Sequence, residues 1–303
     1  MAQPRLAREK HRAILAAVRR GDPLSRKTAR KLGVSLGALS DYAKRPLPDR
    51  PTAELPEPVV RKYQPLAINT PGLWLVLSDL HLPYHDRRTV EMAVAEARKR
   101  AVKGVILNGD VLDSHEISRH DKDPSAPRYV EEVECGKRFL AWVRKQLPKA
   151  RLIFKEGNHE ERLIPYIWGR APALFGLEGM TLPELLHTAD YGIEWVGDKR
   201  VIHLGKLNVI HGHEYGRGTT GPVNPARGIY LKARSVVLCG HWHRTSEHHE
   251  KNIRSRPEAA WSAGCACGLN PQYAPLNNWN HGYAFVEISN GGDFVVDNRW
   301  VGE

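Results

Sequence analysis

Three observations on this 303-residue chain predict an α/β fold preceded by a small all-α unit. Short continuous apolar runs recur from residue 72 onward, and runs of that kind suit strands covered on both faces. Helical segments lie between the first three runs, which is the βαβ pattern of a parallel sheet with helices against it. Before residue 50 the pattern has helical periodicity only, and the composition is strongly basic.

The helical unit is read first. Leu6, Ile14, Leu15 and Val18 fall on one face at 3.6-residue spacing. Residues 19–24, with Gly21 and Pro23, form a turn, and Ser25 is placed to cap a helix running through Ala29 and Leu32. Gly33-Val34-Ser35 reads as a tight turn, with Ser35 capping a third helix over 36–43. Leu36 and Leu39 are expected to face the core, leaving Ser35, Gly37, Ala38, Ser40 and Asp41 outward. Residues 28–35 resemble the helix-turn-helix of DNA-binding domains, in which the helix after the turn enters the major groove. The outward set holds no Arg, Asn or Gln and is a poor one for reading bases, so the segment's charge argues for phosphate affinity alone.

Seven prolines from residue 46 through residue 71 mark a semi-extended linker. The expected division is a basic helical domain at 1–45, a linker at 46–71 and a main domain at 72–303. In the main domain the runs at 73–77, 105–107, 152–154, 207–210 and 236–238 predict strands, with helices over 87–100 and 130–146. Strand-like text returns at 259–263, 282–288 and 293–296, consistent with a second sheet closing a sandwich.

Charge divides the chain the same way. Residues 1–50 hold 13 Lys or Arg against 4 Asp or Glu, a net +9 of the total +11. Asymmetry of that size points to a polyanionic partner for the first segment, nucleic acid above all. No apolar run approaches the ~20 residues of a membrane span, and residues 1–12 lack a secretory apolar stretch, so no membrane role is expected. The four cysteines form no disulfide or zinc framework, and Cys265-Ala266-Cys267 has the wrong spacing for a CxxC pair. A reducing, cytoplasmic location follows as the expectation.

Five polar clusters at the ends of apolar runs carry the chemistry: Asp79-Leu80-His81, Gly109-Asp110-Val111-Leu112-Asp113, Gly157-Asn158-His159-Glu160, His211-Gly212-His213 and Gly240-His241-Trp242-His243. None could hold a metal alone, but together they supply ligands for two divalent cations sharing one carboxylate. Open α/β sheets place ligands at the C-terminal ends of their strands, where these clusters fall. Asp110, after a glycine that lets the backbone turn sharply, is the natural bridge between two cations. The nitrogen and oxygen donors, without sulfur, suit Mn, Fe, Zn, Ni or Co rather than calcium, and manganese is placed first.

The ordered series resembles the calcineurin-like metallophosphoesterase family over residues 72 to about 300. The resemblance implies a four-layer αββα sandwich of two mixed β-sheets flanked by helices. It implies Asp79, His81, Asp110 and His243 around the first ion, and Asp110, Asn158, His211 and His241 around the second. It also implies in-line hydrolysis of a phosphoester by a hydroxide held between the ions. His159 would donate to a phosphate oxygen or protonate the leaving group, with Asp113 orienting it. His211 is preferred to His213 because the family uses the first histidine of that motif.

The polar stretch 114–128, the segment 164–195 and the Gly-rich stretch 214–228 are candidate walls of a pocket, carrying Arg119, His120, Arg162, Arg170, Arg217 and Arg227. Arg162, three residues after His159, is the preferred substrate contact, since a guanidinium suits phosphate. Protein phosphatases of the family continue the second motif with Arg-Gly; this chain has Ser114-His115 there. The expected substrate is therefore a phosphodiester of nucleic acid or nucleotides. The alternatives are a phosphomonoesterase for a phosphoprotein or metabolite, and a DNA-binding regulator with a vestigial phosphoesterase domain.

Overall fold

Side-chain alternation along the strands sorts the apolar residues onto two faces, and that sorting generates the layers. The computed structural model describes residues 5–44, 55, 57–216 and 223–302. It divides into units Met1–Arg61 and Lys62–Glu303. In chain order the strands are β1 (Leu66–Ile68), β2 (Gly72–Leu77), β3 (Gly104–Asn108), β4 (Arg151–Lys155), β5 (Ile193–Val196), β6 (Ile202–Leu204), β7 (Leu207–Val209), β8 (Val237–Cys239), β9 (Ser246–Lys251), β10 (Pro257–Ser262), β11 (Gly282–Ile288) and β12 (Phe294–Trp300). The helices are α1 (Arg5–Arg19), α2 (Arg26–Lys31), α3 (Leu36–Lys44), α4 (Arg87–Lys99), α5 (Tyr129–Gln146), α6 (Leu163–Arg170), α7 (Leu182–Leu185) and α8 (Pro225–Ala233).

In the second unit, the first mixed sheet runs β12-β11-β2-β3-β4-β5 and the second runs β1-β6-β7-β8-β10-β9. Strands β2 to β5 are parallel, while β11 is antiparallel to both β2 and β12. Leu75, Leu77, Val105, Leu107, Leu152, Phe154 and Phe285 point to one face of the first sheet, where Val90, Val94, Phe139, Leu140 and Val143 of α4 and α5 cover them. Trp74, Val76, Ile106, Ile153 and Val286 point to the other face and meet Ile202, Leu204, Leu207, Val209 and Leu238 of the second sheet. Val237, Cys239 and Ala260 on the far face of the second sheet pack under Ile229 and Tyr230 of α8. The order is helices, sheet, sheet, helix, as the resemblance implied. Capping carboxylates and amides start the helices where the pattern requires: Asp86 accepts from Thr89 N–H at 2.7 Å before α4, and Asn224 from Arg227 N–H at 2.9 Å before α8.

Some elements differ from expectation. Residues 66–68, assigned above to the linker, form β1 in parallel register with β6. A three-residue edge strand is too short to show a period. The C-terminal strands build no separate sheet: β10 inserts beside β8, whereas β11 and β12 extend the first sheet beside β2. Strand β9, Ser-Glu-His-His-Glu-Lys, has no apolar signal because it is an edge strand exposed along most of its length. Its His248 and His249 contact Glu250 and Glu247 at 3.0 and 3.1 Å.

The first unit contains the three expected helices around Ile14, Ala29 and Leu39, with Val18, Leu32 and Val34 against them. Ser25 accepts from Thr28 N–H at 3.2 Å and Ser35 from Ala38 N–H at 3.1 Å, so both predicted caps form. Gly33 takes the left-handed turn at φ +63°. Leu36, expected in the core, is 38% exposed, because the short helix turns only Leu39 fully inward. Most of the Pro-rich stretch (45–54 and 56) and residues 217–222, including Arg217, lie outside the described residues. No helix among the described residues is long and apolar enough to cross a membrane.

Candidate metal centre

The clusters follow strand C-termini: Asp79 and His81 after β2, Asp110 after β3, Asn158 and His159 after β4, His211 after β7, and His241 and His243 after β8. Five of these residues leave their strands through left-handed backbone, with φ of 55° at Asp79, 48° at His81, 51° at Asp110, 72° at His241 and 56° at His243. That conformation costs a residue other than glycine roughly 1–3 kcal/mol and persists only where the surroundings over-determine it, as functional sites do. Here the surroundings are hydrogen bonds between loops: Asp79 N–H donates to Gly109 O at 3.1 Å, and His81 N–H to Asp110 O at 2.9 Å. Gly109 itself, at φ +85°, has no room for a side chain; a Cβ would lie 2.5 Å from His211 Nδ1.

Two buried carboxylates tie these loops together. Glu160 accepts four main-chain N–H groups, from Asp110 (2.9 Å), Val111 (2.8 Å), Leu112 (3.0 Å) and Gly157 (2.8 Å). Burial and then the charge of Asp110 push its pKa up to about 7, while those N–H donors oppose the rise. Glu214 accepts from His211 N–H at 2.9 Å and Gly212 N–H at 2.6 Å, and it meets the fully buried Lys155 Nζ at 2.7 Å. Burial alone would raise its pKa, but Lys155, His213 and His211 draw it down to about 2. Lys155, which ends an apolar strand, carries no sequence signal, and Glu160 carries only a weak one.

Within this frame the predicted ligands converge. Asp110 Oδ2 lies 3.3 Å from His211 Nε2 and 3.9 Å from His81 Nε2, so one carboxylate faces both halves of the cluster. Asp79 Oδ1 is 3.3 Å from His243 Nε2, and the Nε2 atoms of His81 and His243 face each other at 3.2 Å. Ligand atoms of Asp79, His81 and Asp110 form one group compact enough for an ion, and those of Asp110, His211 and His241 form another.

The donor set fits cations. Asp79 Oδ1, Asn158 Oδ1, His211 Nε2 and His241 Nδ1 are buried acceptors without a hydrogen-bond partner, and such orphans are costly unless a cation or proton meets them. Their outer contacts are the kind that orient metal ligands. His81 Nδ1–H donates to Asp113 Oδ1 at 2.9 Å and His211 Nδ1–H to Asn108 O at 2.8 Å, which leaves both Nε2 lone pairs facing inward. Without a cation, burial is outweighed at His211 by Asp110 and Asp79, which drive it up to about 10; burial drives His241 down to about 4. Cys267, absent from the expected donors, places Sγ 3.9 Å from His243 Nδ1 and forms a further compact group with His81 and His243. His213 is drawn away to Glu161 Oε1 at 2.9 Å.

His159, Asp113 and Arg162 are arranged differently from expectation. The Asp113 carboxylate bonds His81 and lies 3.5 Å from His159 Nδ1. The main-chain carbonyl of Asp113 accepts the His159 Nδ1–H at 2.5 Å instead. Arg162 donates through Nη2 to His159 Nε2 at 2.9 Å and through Nη1 to Asp113 O at 2.8 Å. Burial, with His81 and Arg162 adding to it against Asp110, drives His159 down to about 3. In this arrangement the Asp113 carbonyl takes the His159 Nδ1–H and the Arg162 guanidinium takes its Nε2, so both ring nitrogens are engaged. Arg162, by contrast, lines the adjoining cavity, and His159 does not.

Two cavities flank the cluster. One, of about 800 Å³, is reached past Asn158 and His241 and is walled by Arg119, His120, Arg162, Arg170 and Lys199. The other, of about 960 Å³, opens beside His81 and Asp113 and is walled by Tyr84, Asp121, Asp123, Gln272, Tyr273 and Trp279. Of the segments expected to wall a pocket, 114–128 lines both cavities and 164–195 contributes Pro165, Tyr166 and Arg170 to the first. Arg227 lines neither.

No protein-family model matches the chain. It is 26% identical to the Gene 54 protein of Mycobacterium phage L5 over 248 residues, 74% of this chain and 96% of that protein. The Gene 54 protein of Mycobacterium phage D29 matches to the same extent. Among solved structures, a single mutant of Vps29 from Entamoeba histolytica is 13% identical, with 76% of this chain and 99% of that one covered at a TM-score of 0.38. A dimetal phosphatase from Danio rerio is 11% identical, with 76% and 97% covered at 0.36. YfcE, a phosphoesterase from E. coli, is 15% identical, with 76% and 98% covered at 0.35.

Proposed function

We propose that this protein is a metal-dependent phosphodiesterase acting on nucleic acid or nucleotides. The observation that carries this reading is the pair of cavities that border one ligand cluster, one at Asn158 and His241 and the other at His81. A phosphomonoester has a single organic substituent and uses one such space; a diester has two and uses both. Asp79, His81, Asp110 and His243 would hold one divalent cation and Asp110, Asn158, His211 and His241 the other, with manganese the first choice. Bound there, the cations supply positive charge at the phosphoryl oxygens and lower the pKa of an attacking water.

The chain's own groups do the rest. Arg162, fixed by two main-chain carbonyls and by His159, points its charge at the cavity beside Asn158, where it binds a non-bridging phosphate oxygen. His159, held neutral, positions that guanidinium. Asp113 and Asn108 fix the tautomers of His81 and His211. Glu160 and Glu214 clamp the loops so that little reorganisation accompanies catalysis. The net +9 of residues 1–50 supplies phosphate affinity for a polyanionic substrate.

The test is purified full-length protein with Mn²⁺ on bis-p-nitrophenyl phosphate, p-nitrophenyl phosphate, and single- and double-stranded DNA in parallel. Diester hydrolysis in excess of monoester hydrolysis is expected. Turnover of the monoester alone overturns the reading, and so does tight DNA binding with no turnover under any metal, the behaviour of a regulator.

A further inference from the structure

We propose that the cavity beside His81 is a nucleobase subsite, so that the substrate strand is single-stranded around the scissile phosphate. This rests on the phosphodiesterase reading and adds to it which side of the cluster receives the base. The two cavities differ in chemistry. The one beside Asn158 presents Arg119, Arg162, Arg170 and Lys199, and therefore suits anionic groups. Among the described residues, the one beside His81 is lined by no arginine, and the one lysine that lines it is engaged elsewhere: Lys122 Nζ donates to His115 O at 3.0 Å and to Ser118 Oγ at 2.8 Å. Asp121 and Asp123 in its wall repel phosphate but accept from exocyclic amino groups, and the side-chain amides of Asn270 and Gln272 can both donate and accept.

Aromatic rings line the same space in a ladder that begins at a predicted metal ligand. Trp279 meets the His243 ring edge-to-face at 4.1 Å between centroids, and Tyr273 meets Trp279 at 6.2 Å. Tyr273 is 76% exposed and Tyr84 is 46% exposed, so both present uncovered ring surface to the cavity. The loop carrying the ladder is pinned by Asn277, whose Nδ2 donates to Leu269 O at 2.6 Å and Ala274 O at 2.8 Å, while its Oδ1 accepts from Trp279 N–H at 2.8 Å. A platform held in that way is pre-organised for stacking, and stacking tolerates any base. Hydrogen-bonding groups set around a stacking platform read a base on edges that pairing would occupy, so the base must be unpaired.

The experiment compares affinities of the full-length protein, in EDTA to prevent hydrolysis, for a fluorescent oligothymidylate and for an abasic strand of equal length and charge. The abasic strand retains every phosphate contact, including those of the basic first unit, and lacks only the bases. Oligothymidylate is expected to bind roughly tenfold more tightly, the scale of one base on one aromatic platform. Tyr273→Ala is expected to erase that ratio and Tyr273→Phe to keep it; Tyr273 is exposed, so neither change threatens folding. Equal affinity for the two strands in the unmodified protein, or a ratio untouched by Tyr273→Ala, overturns the base subsite. Hydrolysis of bis-p-nitrophenyl phosphate with Mn²⁺ is read separately. A protein that cleaves that small diester yet binds both strands equally keeps the proposed function and loses the subsite; one with base-dependent binding and no cleavage keeps the subsite and loses the function.

Discussion

Single residues here act mainly by fixing other residues. Asp113 was expected to serve His159, yet its carboxylate holds His81, so its removal should be felt first as loss of metal. Asp113→Asn is expected to lower metal affinity about 10- to 100-fold, the usual scale for a group that orients a ligand. Titration of the purified variant with Mn²⁺ checks this, and wild-type affinity would count against the assignment. Glu160 is the more severe case, because four main-chain donors converge on one carboxylate. Glu160→Gln replaces one acceptor oxygen with a donor facing donors, and leaving buried N–H groups unpaired costs about 1–3 kcal/mol each. A loss of about 2–4 kcal/mol is expected in urea unfolding; an unchanged midpoint would remove Glu160 from the frame. The ligand types were legible in the motifs, while these supporting contacts were not, because Glu160 reaches across to the loop after β3, about 50 residues earlier in the chain.

Helix α5 carries a consequence for pH. Its Glu132 is 1% exposed and accepts from Ser114 N–H at 2.6 Å, on the loop that lines both cavities. Burial above all, with the charge of Asp113 adding and the Ser114 N–H opposing, pushes its pKa up to about 8 from an ordinary 4.5. Because the folded value is the higher one, the stability tied to its proton is complete below about 4.5 and is lost as pH rises through about 8. Glu132→Gln keeps an oxygen for Ser114 and cannot ionise. Its stability is expected to exceed that of the unmodified protein at pH 8.5 and to fall less between pH 6 and 8.5; parallel declines in thermal midpoint would sink the idea. Helices α4 and α5 and strands β2 to β4 were readable from period and run length, since each is buried on one face or two. Edge strands β1 and β9 were not, because an element that buries little leaves little pattern in its composition.

The whole molecule separates into a basic three-helix unit with its own small core and a sandwich with three cores of its own. A fragment of residues 62–303 is therefore expected to fold cooperatively, keep its Mn²⁺-dependent turnover of a small diester within about twofold, and bind single-stranded DNA with a shallower dependence on salt. Unfolded fragment, or an unaltered salt slope, would refute that division of labour. At this scale the sequence was most informative about charge, whose division between the first 50 residues and the rest is visible without any structure.

By itself the sequence determined the α/β class, the candidate ligand residues and their order along the chain, and the charge asymmetry, because periodicity, residue chemistry and charge are local properties. Tertiary structure alone decided which loops share the Glu160 and Glu214 clamps, that Asp113 serves His81, that Arg162 rather than His159 faces the cavity, and that a basic and an aromatic cavity flank one cluster. Those facts depend on bringing together residues tens to hundreds of positions apart, and no spacing in the chain encodes such an approach.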